Sequence, residues 1–230
     1  MDTTKLNLNK KTGELSAEDL LGSPILLEWE TIDQQSPRLN EKIGALSDIL
    51  AQIYTQQELL FAKKHPDTAA NEYFLKPLAH FFQNDNKNID WNIVEQEIKN
   101  IFTKLFTETD FTKTSTTNDL HIFVVVKDKK TNTALGLIQF LISPEYKEGD
   151  IKAAFYGVLP TAYGRGLEKI LMSSIFKLVP STKRIFLHTR LTNEDAIKMY
   201  YEWGFTQFDN KMPNWPDFEY LAEKSETLQR

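Results

Sequence analysis

The chain predicts an α/β fold built on a mixed sheet, and three observations carry that prediction. Three strand-length apolar runs follow one another across residues 121–159 with short polar connections, the mark of an antiparallel meander. The third run leads through two closely spaced glycines, Gly164 and Gly166, into an amphipathic stretch that Pro180 ends. A further strand follows at 184–190. A strand–helix–strand connection in one sheet is right-handed and sets its two strands parallel, so the sheet combines both senses.

Taken in chain order, residues 1–22 are polar and carry Lys10, Lys11, Glu14, Glu18 and Asp19, which predicts a flexible or loosely docked arm. A single compact domain is expected over 23–230. Residues 25–32 read as a strand. Ser36 and Pro37 then supply a cap and a first-turn proline for a helix with Leu39, Ile43, Leu46, Leu50, Ile53 and Tyr54 at helical spacing. Residues 56–118 form a helical expansion. Pro66 interrupts the pattern, a short helix is expected across Tyr73 to Phe82, and the run from Asn84 to Asn88 signals a turn. Asp90 caps a stronger helix whose stripe is Trp91, Val94, Ile98, Ile101, Phe102, Leu105 and Phe106, and residues 112–118 are a polar loop. The meander strands are expected at 121–127, 133–143 and 151–159. Leu167, Ile170, Leu171, Ser174, Ile175 and Leu178 line one face of the helix after the glycines. Asn193 opens a last helix with Ala196, Ile197, Tyr200 and Trp203 inward and Gly204 at its C-terminal cap. Residues 205–208 and 218–221 are expected to pair as closing strands.

Composition limits what such a fold can be doing. The 230 residues have 41% hydrophobic content, enough for a sizeable core, and no apolar run long enough to span a membrane. A net charge of −5 argues against a nucleic-acid partner, since the basic clusters around Lys63 and Lys129 are short. With no cysteine there is neither a thiol nucleophile nor a thiolate metal site, and His65, His80 and His121 lack ligand spacing, so no metal is expected. The polar N-terminal residues lack the apolar centre of a secretory signal, which predicts a cytoplasmic protein.

The chemistry concentrates at Val158-Leu159-Pro160-Thr161-Ala162-Tyr163-Gly164-Arg165-Gly166-Leu167-Glu168. A glycine-bearing turn into a helix leaves the first helical N–H groups unpaired and lets an anion approach them, as a phosphate or pyrophosphate does. One residue separates Gly164 from Gly166, which does not fit the phosphate loop of nucleotide triphosphatases. Lys169 stands where a dinucleotide fingerprint needs its third glycine, and a meander precedes the loop. The segment resembles instead the pyrophosphate loop of the GNAT family, the GCN5-related N-acetyltransferases. Val158 and Pro160 fit the family's V-x-P, and 163–168 fits its glycine pattern with Tyr163 for the usual Arg and Glu168 for the last small residue. One strand further on, Asn193-Glu194-Asp195-Ala196-Ile197-Lys198-Met199-Tyr200-Tyr201-Glu202-Trp203-Gly204-Phe205 is similar to the family's N-x-x-A-x-x-x-Y-x-x-x-G-F. The resemblance covers 121–222 well, and the strand at 25–32 and the helix after Ser36 fit the family's first two elements. It implies a GNAT-like acyl-CoA N-acyltransferase fold with an enlarged helical region between its first and second strands.

From that resemblance follows an N-acetyltransferase that moves acetyl from acetyl-CoA to a primary amine by direct attack in a ternary complex. The amides of Tyr163, Gly164, Arg165, Gly166, Leu167 and Glu168 are implied to hold the CoA pyrophosphate. Val158, Leu159 and Pro160 line the cofactor, and the Val158 amide polarises the acetyl carbonyl. Gly157 is expected to mark the bulge that opens the strand gap. Tyr200 matches the family's general acid: a phenol of pKa about 10 stays protonated and can donate to a thiolate of pKa about 8.5. Its neighbour Tyr201 points elsewhere on the helix. Asn193 caps its helix, contacts the cofactor, or does both. Alternation puts Asp150, Lys152, Ala154, Tyr156 and Val158 on one strand face, which makes Asp150 a candidate base; Glu28, Glu30 and His188 are others. Glu168 departs from the pattern, since a carboxylate suits a helix start but repels a pyrophosphate. A different class stays open on that ground: a weak or inactive acyl-CoA-binding sensor or interaction module. The acceptor, an amine-bearing small molecule or protein, is not specified, nor is the oligomeric state, a homodimer included.

Overall fold

The structure, a computed structural model, describes residues 12–32, 39–64, 90–108, 119–208, 215–224 and 227–228. The chain divides into two compact units, residues 1–34 with 111–230 and residues 35–110. This division falls within the span that the sequence reads as one domain.

The second unit contributes two helices, α1 (Leu39–Lys64) and α2 (Trp91–Glu108). Ile43, Leu46, Leu50, Ile53 and Tyr54 on α1 and Val94, Ile98, Phe102 and Phe106 on α2 are buried, which is the stripe that helical spacing demands. Tyr54 and Phe102 meet with ring centroids 5.1 Å apart. Asp90 opens α2 as expected: its Oδ1 accepts the Asn92 N–H at 3.0 Å. The expected Ser36–Pro37 helix start and the helix through Phe74 and Phe81 lie outside the described residues. Among the described residues, no helix is long and apolar enough to cross a membrane.

The first unit is an eight-stranded sheet in the order β1–β2–β3–β4–β5–β6–β8–β7. Its strands are β1 (Thr12–Glu18), β2 (Pro24–Ile32), β3 (Leu120–Asp128), β4 (Ala134–Ile142), β5 (Asp150–Val158), β6 (Arg184–His188), β7 (Thr206–Phe208) and β8 (Asp217–Leu221). Its helices are α3 (Leu167–Leu178) and α4 (Glu194–Glu202), so the helical segment lies between β2 and β3. The meander β2 to β5 is antiparallel, β5 and β6 are parallel, and β7 and β8 pair as expected. Strand β1 corrects the expected N-terminal arm. Residues 12–18 run antiparallel to β2, with Gly13 opposite Trp29. A Cβ on Gly13 would stand 2.5 Å from the Trp29 indole nitrogen, so glycine leaves room for the ring across the edge strand.

One face of the sheet carries the core. Val124 and Val126 of β3, Ile138 and Phe140 of β4, Ile151 and Ala153 of β5 and Ile185 and Leu187 of β6 pack in one cluster with Leu167, Leu171, Met172 and Ile175 of α3. That burial fixes α3 across β3, β4 and β5 and so fixes the loop that feeds it.

Candidate active site

The site begins where β5 and β6 part. Their parallel pairing covers Asp150 with Arg184, Ile151 with Ile185 and Lys152 with Phe186, and stops there. From residue 153 to 158, β5 has no strand opposite on that side among the described residues. A bulge shapes the same stretch. Ile138 pairs with Tyr156 but Gln139 with Ala154, which leaves Phe155 as the extra residue at φ 24°. The bulge is therefore at Phe155, not at Gly157, which pairs with Leu137. Gly136 serves the close approach there, since a Cβ on it would lie 2.7 Å from the Gly157 carbonyl oxygen.

The extra residue overturns the expected alternation. Partners across a ladder share a face. Tyr156 and Val158 therefore lie with Ile138 and Gly136 on the core face, while Lys152 and Ala154 lie with Leu141 and Gln139 on the other. Asp150 stands two residues before Lys152 on that opposite face. Its Oδ2 accepts Arg184 Nη1 at 2.9 Å, and the same guanidinium donates through Nε to Glu219 Oε2 at 2.7 Å. The structure thus separates Asp150 from Val158 and Tyr200 and spends it on an ion pair.

Beyond Val158 the chain turns through a 3-10 turn at Pro160–Ala162 and reaches the two glycines. Leu159 donates its N–H to Leu135 C=O at 2.7 Å. Successive residues of a strand direct their N–H groups to opposite sides, so the Val158 N–H is directed to the side that β6 has left. Gly164 and Gly166 have φ of 77° and 69°, conformations open to glycine at little cost. The first regular helical bond is Ile170 N–H to Gly166 C=O, so the amides of Leu167, Glu168 and Lys169 have no intrahelical acceptor. The Tyr163 N–H, one of the expected loop donors, goes instead to Pro160 C=O at 3.3 Å.

Three acidic residues bear on this loop. Arg165 donates through Nε to Asp19 Oδ2 at 2.5 Å and reaches Asp128 Oδ2 at 3.7 Å. Asp19 also accepts the Leu21 and Ser23 amides, and Leu20 N–H donates to Arg165 C=O at 3.0 Å. The β1–β2 turn therefore clamps the glycine loop, with Leu20 directly over Gly166. Burial pushes the Asp19 carboxyl up, but Arg165 and the two amides outweigh it and hold it below the ordinary value. Glu168 behaves in the opposite way. Burial raises its carboxyl, opposed in part by a hydrogen bond from its own main-chain N–H. That N–H is one of the donors an anion at this helix start would use, so the carboxyl lies in the first turn beside the anion's place.

Helix α4 brings the second motif to the same region. Tyr200 is 5% exposed, its ring set against Trp203, Phe205 and Phe218 at centroid distances of 6.2, 5.6 and 5.7 Å. Tyr201 is 51% exposed and turned away. Gly204, at φ 88°, ends the helix: its N–H meets Tyr201 C=O and the Phe205 N–H meets Tyr200 C=O, the paired bonds of a Schellman cap. Asn193 precedes the helix without a side-chain cap bond; its Nδ2 donates to Thr189 Oγ1 at 3.2 Å. His188, at the end of β6, pairs across the ladder with Asp217, and its ring meets Trp215 at 5.9 Å. Burial and the Lys152 ammonium hold His188 below the ordinary imidazole value, against the pull of Asp217. Glu28 is occupied by Lys127 at 2.6 Å. The sequence singled out neither Tyr156 as a core-face phenol nor Asp19 as a clamp. The bulge hid the first, and the second lies 146 positions from its partner.

A strand fork on a mixed sheet, with a glycine loop leading into the packed helix, defines the class as an acyltransferase fold. The model of the acetyltransferase (GNAT) family matches residues 91–205, half the chain, and the protein belongs to that family of acyltransferases. Among solved structures, the GNAT domain of S. lividans PAT is 12% identical, covering 90% of this chain and 96% of that one at a TM-score of 0.50. A mutant spermidine N-acetyltransferase from Vibrio cholerae is 18% identical over 59% of this chain and 77% of that one, at 0.38. The N-acetyltransferase PseH of Campylobacter jejuni is 18% identical over 58% and 82%, at 0.37. Identities this low speak for the fold alone. No curated protein sequence matches the chain.

Proposed function

We propose that this protein transfers acetyl from acetyl-CoA to a primary amine, both held at once in the fork between β5 and β6. The observation that carries the reading is the fork itself: β5 runs unpaired on one side from 153 to 158 and leads directly into the glycine loop. A pantetheine chain, which carries amides like a peptide, fits beside such an edge as an added strand. The pyrophosphate would meet the amides of Gly164 to Glu168, and Leu159 and Pro160 line the approach. Val158 N–H, directed into the gap, is the donor for the acetyl oxygen as charge develops on it.

In the reaction the neutral amine attacks the acetyl carbon, the carbon–sulfur bond breaks, and the leaving thiolate takes the Tyr200 proton. The amine loses its own proton on the way. Asp150 is poorly suited to that task, being paired with Arg184. His188, which alternation along β6 places on the same sheet face as Asp150, is the other candidate, since its surroundings favour the neutral imidazole that accepts a proton. Asn193 acts at the start of α4 through Thr189 and supports the cofactor there.

One observation favours a second reading. The Glu168 carboxyl stands in the first turn of α3, beside the amides a pyrophosphate would use, and its charge would repel that anion. A protein that binds acyl-CoA weakly, as a sensor or partner module, would follow. Acetyl-CoA titration with thiol release across an amine panel separates the two. Saturable binding with turnover on some amine supports the enzyme. Saturable binding with no thiol release on any amine would leave the module.

A further inference from the structure

We propose that Tyr156 donates a hydrogen bond to the sulfur of the bound acyl-CoA, acting beside Tyr200 as a second catalytic phenol; this rests on the function just proposed. The starting observation is an orphan: the Tyr156 hydroxyl is fully enclosed and has no hydrogen-bond partner among the described residues. A buried polar group left unpaired costs stability, and proteins seldom keep one without a use.

The bulge at Phe155 explains how the phenol comes to be there. Without the extra residue, Tyr156 would share a face with Lys152 and Ala154. With it, Tyr156 pairs with Ile138 and turns toward the core face that α3 covers. It stands two residues before Val158, on the unpaired stretch of β5, so its hydroxyl belongs to the reacting end of the proposed cofactor path. The groups that bear on it electrostatically are Tyr200 of α4 and Glu168 of α3. Among the described residues nothing satisfies this oxygen, and the two groups that bear on it come from α4 and α3.

The roles of the two phenols differ. As the C–S bond breaks, the sulfur leaves with the electron pair and takes its proton from Tyr200. Tyr156 keeps its own proton, since burial, Tyr200 and Glu168 all push its hydroxyl well above the usual phenol range. A hydroxyl that resists ionisation is a poor acid but a steady donor, and a donor aimed at growing negative charge lowers the barrier.

The test is Tyr156→Phe, which removes one oxygen and keeps the ring. Apo melting temperature is expected to hold or rise, because an unsatisfied hydroxyl is deleted. The kcat is expected to fall about tenfold with a smaller change in the acetyl-CoA KM. CoA should bind several-fold more weakly to the variant, while desulfo-CoA, which lacks the sulfur, should bind both proteins alike. A clear drop in apo melting temperature, equal loss of CoA and desulfo-CoA affinity, or unchanged kcat and CoA affinity would each overturn the proposal. Wild-type protein that neither binds acetyl-CoA nor releases thiol would instead sink the proposed function, and this proposal with it.

Discussion

Glu168 holds a carboxyl at the position where the family's loop keeps a small residue, and its chemistry is costly in two ways. It brings a negative charge to the helix start that a pyrophosphate would use, and the folded protein holds it above the ordinary carboxyl value because burial penalises its charge. A carboxyl raised in the folded state binds more protons folded than unfolded between its two pKa values. Stability therefore falls as pH rises through that window, from about 4.5 upward. Glu168→Gln is expected to melt higher than wild type at pH 7, with the gap closing toward pH 4, and to bind CoA more tightly. Calorimetric melts at the two pH values and a CoA titration check both. At this scale the sequence speaks through local spacing. Tyr200, Asn193 and the glycines sit in patterns a few residues long, and the structure brings the loop and the tyrosine helix to one region. Tyr156 was misplaced because one inserted residue, Phe155, reverses the parity of everything after it. Alternation carries no sign of a bulge.

The turn between β1 and β2 shows how an element far away in sequence can set a site. Asp19, with its side chain fully buried, is the anchor of that turn and the partner of Arg165. The Arg165 charge is thereby met by Asp19 and Asp128, which leaves main-chain amides as the chief donors of the loop. Asp19→Ala is expected to destabilise the fold by about 3 kcal/mol, the scale for stripping one partner from a buried pair, as read by urea unfolding. Gly166→Ala should also destabilise, by more than about 1 kcal/mol, because φ of 69° and the Leu20 side chain both oppose a Cβ. The meander and α3 were readable because β3 and β4 are continuous Val-, Ile-, Leu- and Phe-rich runs with short connections and α3 has a clear stripe. Strand β1 was not: Thr12-Gly13-Glu14-Leu15-Ser16-Ala17-Glu18 has one large apolar side chain, and its pairing depends on Trp29 crossing Gly13.

At the scale of the whole molecule, two histidines that fold with depressed pKa values weaken the protein as pH falls toward 5. Burial holds His121 below the ordinary imidazole value, with Asp119 opposing, and its Nδ1 meets Gln139 Nε2 at 2.9 Å. His188 is held down in the same direction. A histidine depressed in the folded state binds fewer protons there than when unfolded, so stability is lost as pH falls through about 6.5. Melting temperature should decline from pH 7 to pH 5, and less steeply in His121→Gln. The mixed sheet and its crossover were deducible because connection length and handedness constrain topology strongly. The helical segment was harder, since Pro66, Pro77 and a polar turn break its periodicity between residues 56 and 118.

The central claim is that the β5–β6 fork carries out acyl transfer with Tyr200 as the acid for the leaving thiolate. Its most direct measurement is kcat for acetyl-CoA-dependent thiol release by wild type and Tyr200→Phe, with the best amine and with melting temperature as the control. The account predicts a loss of about 100-fold or more in kcat with CoA affinity and fold retained. Equal kcat in the two proteins would contradict it.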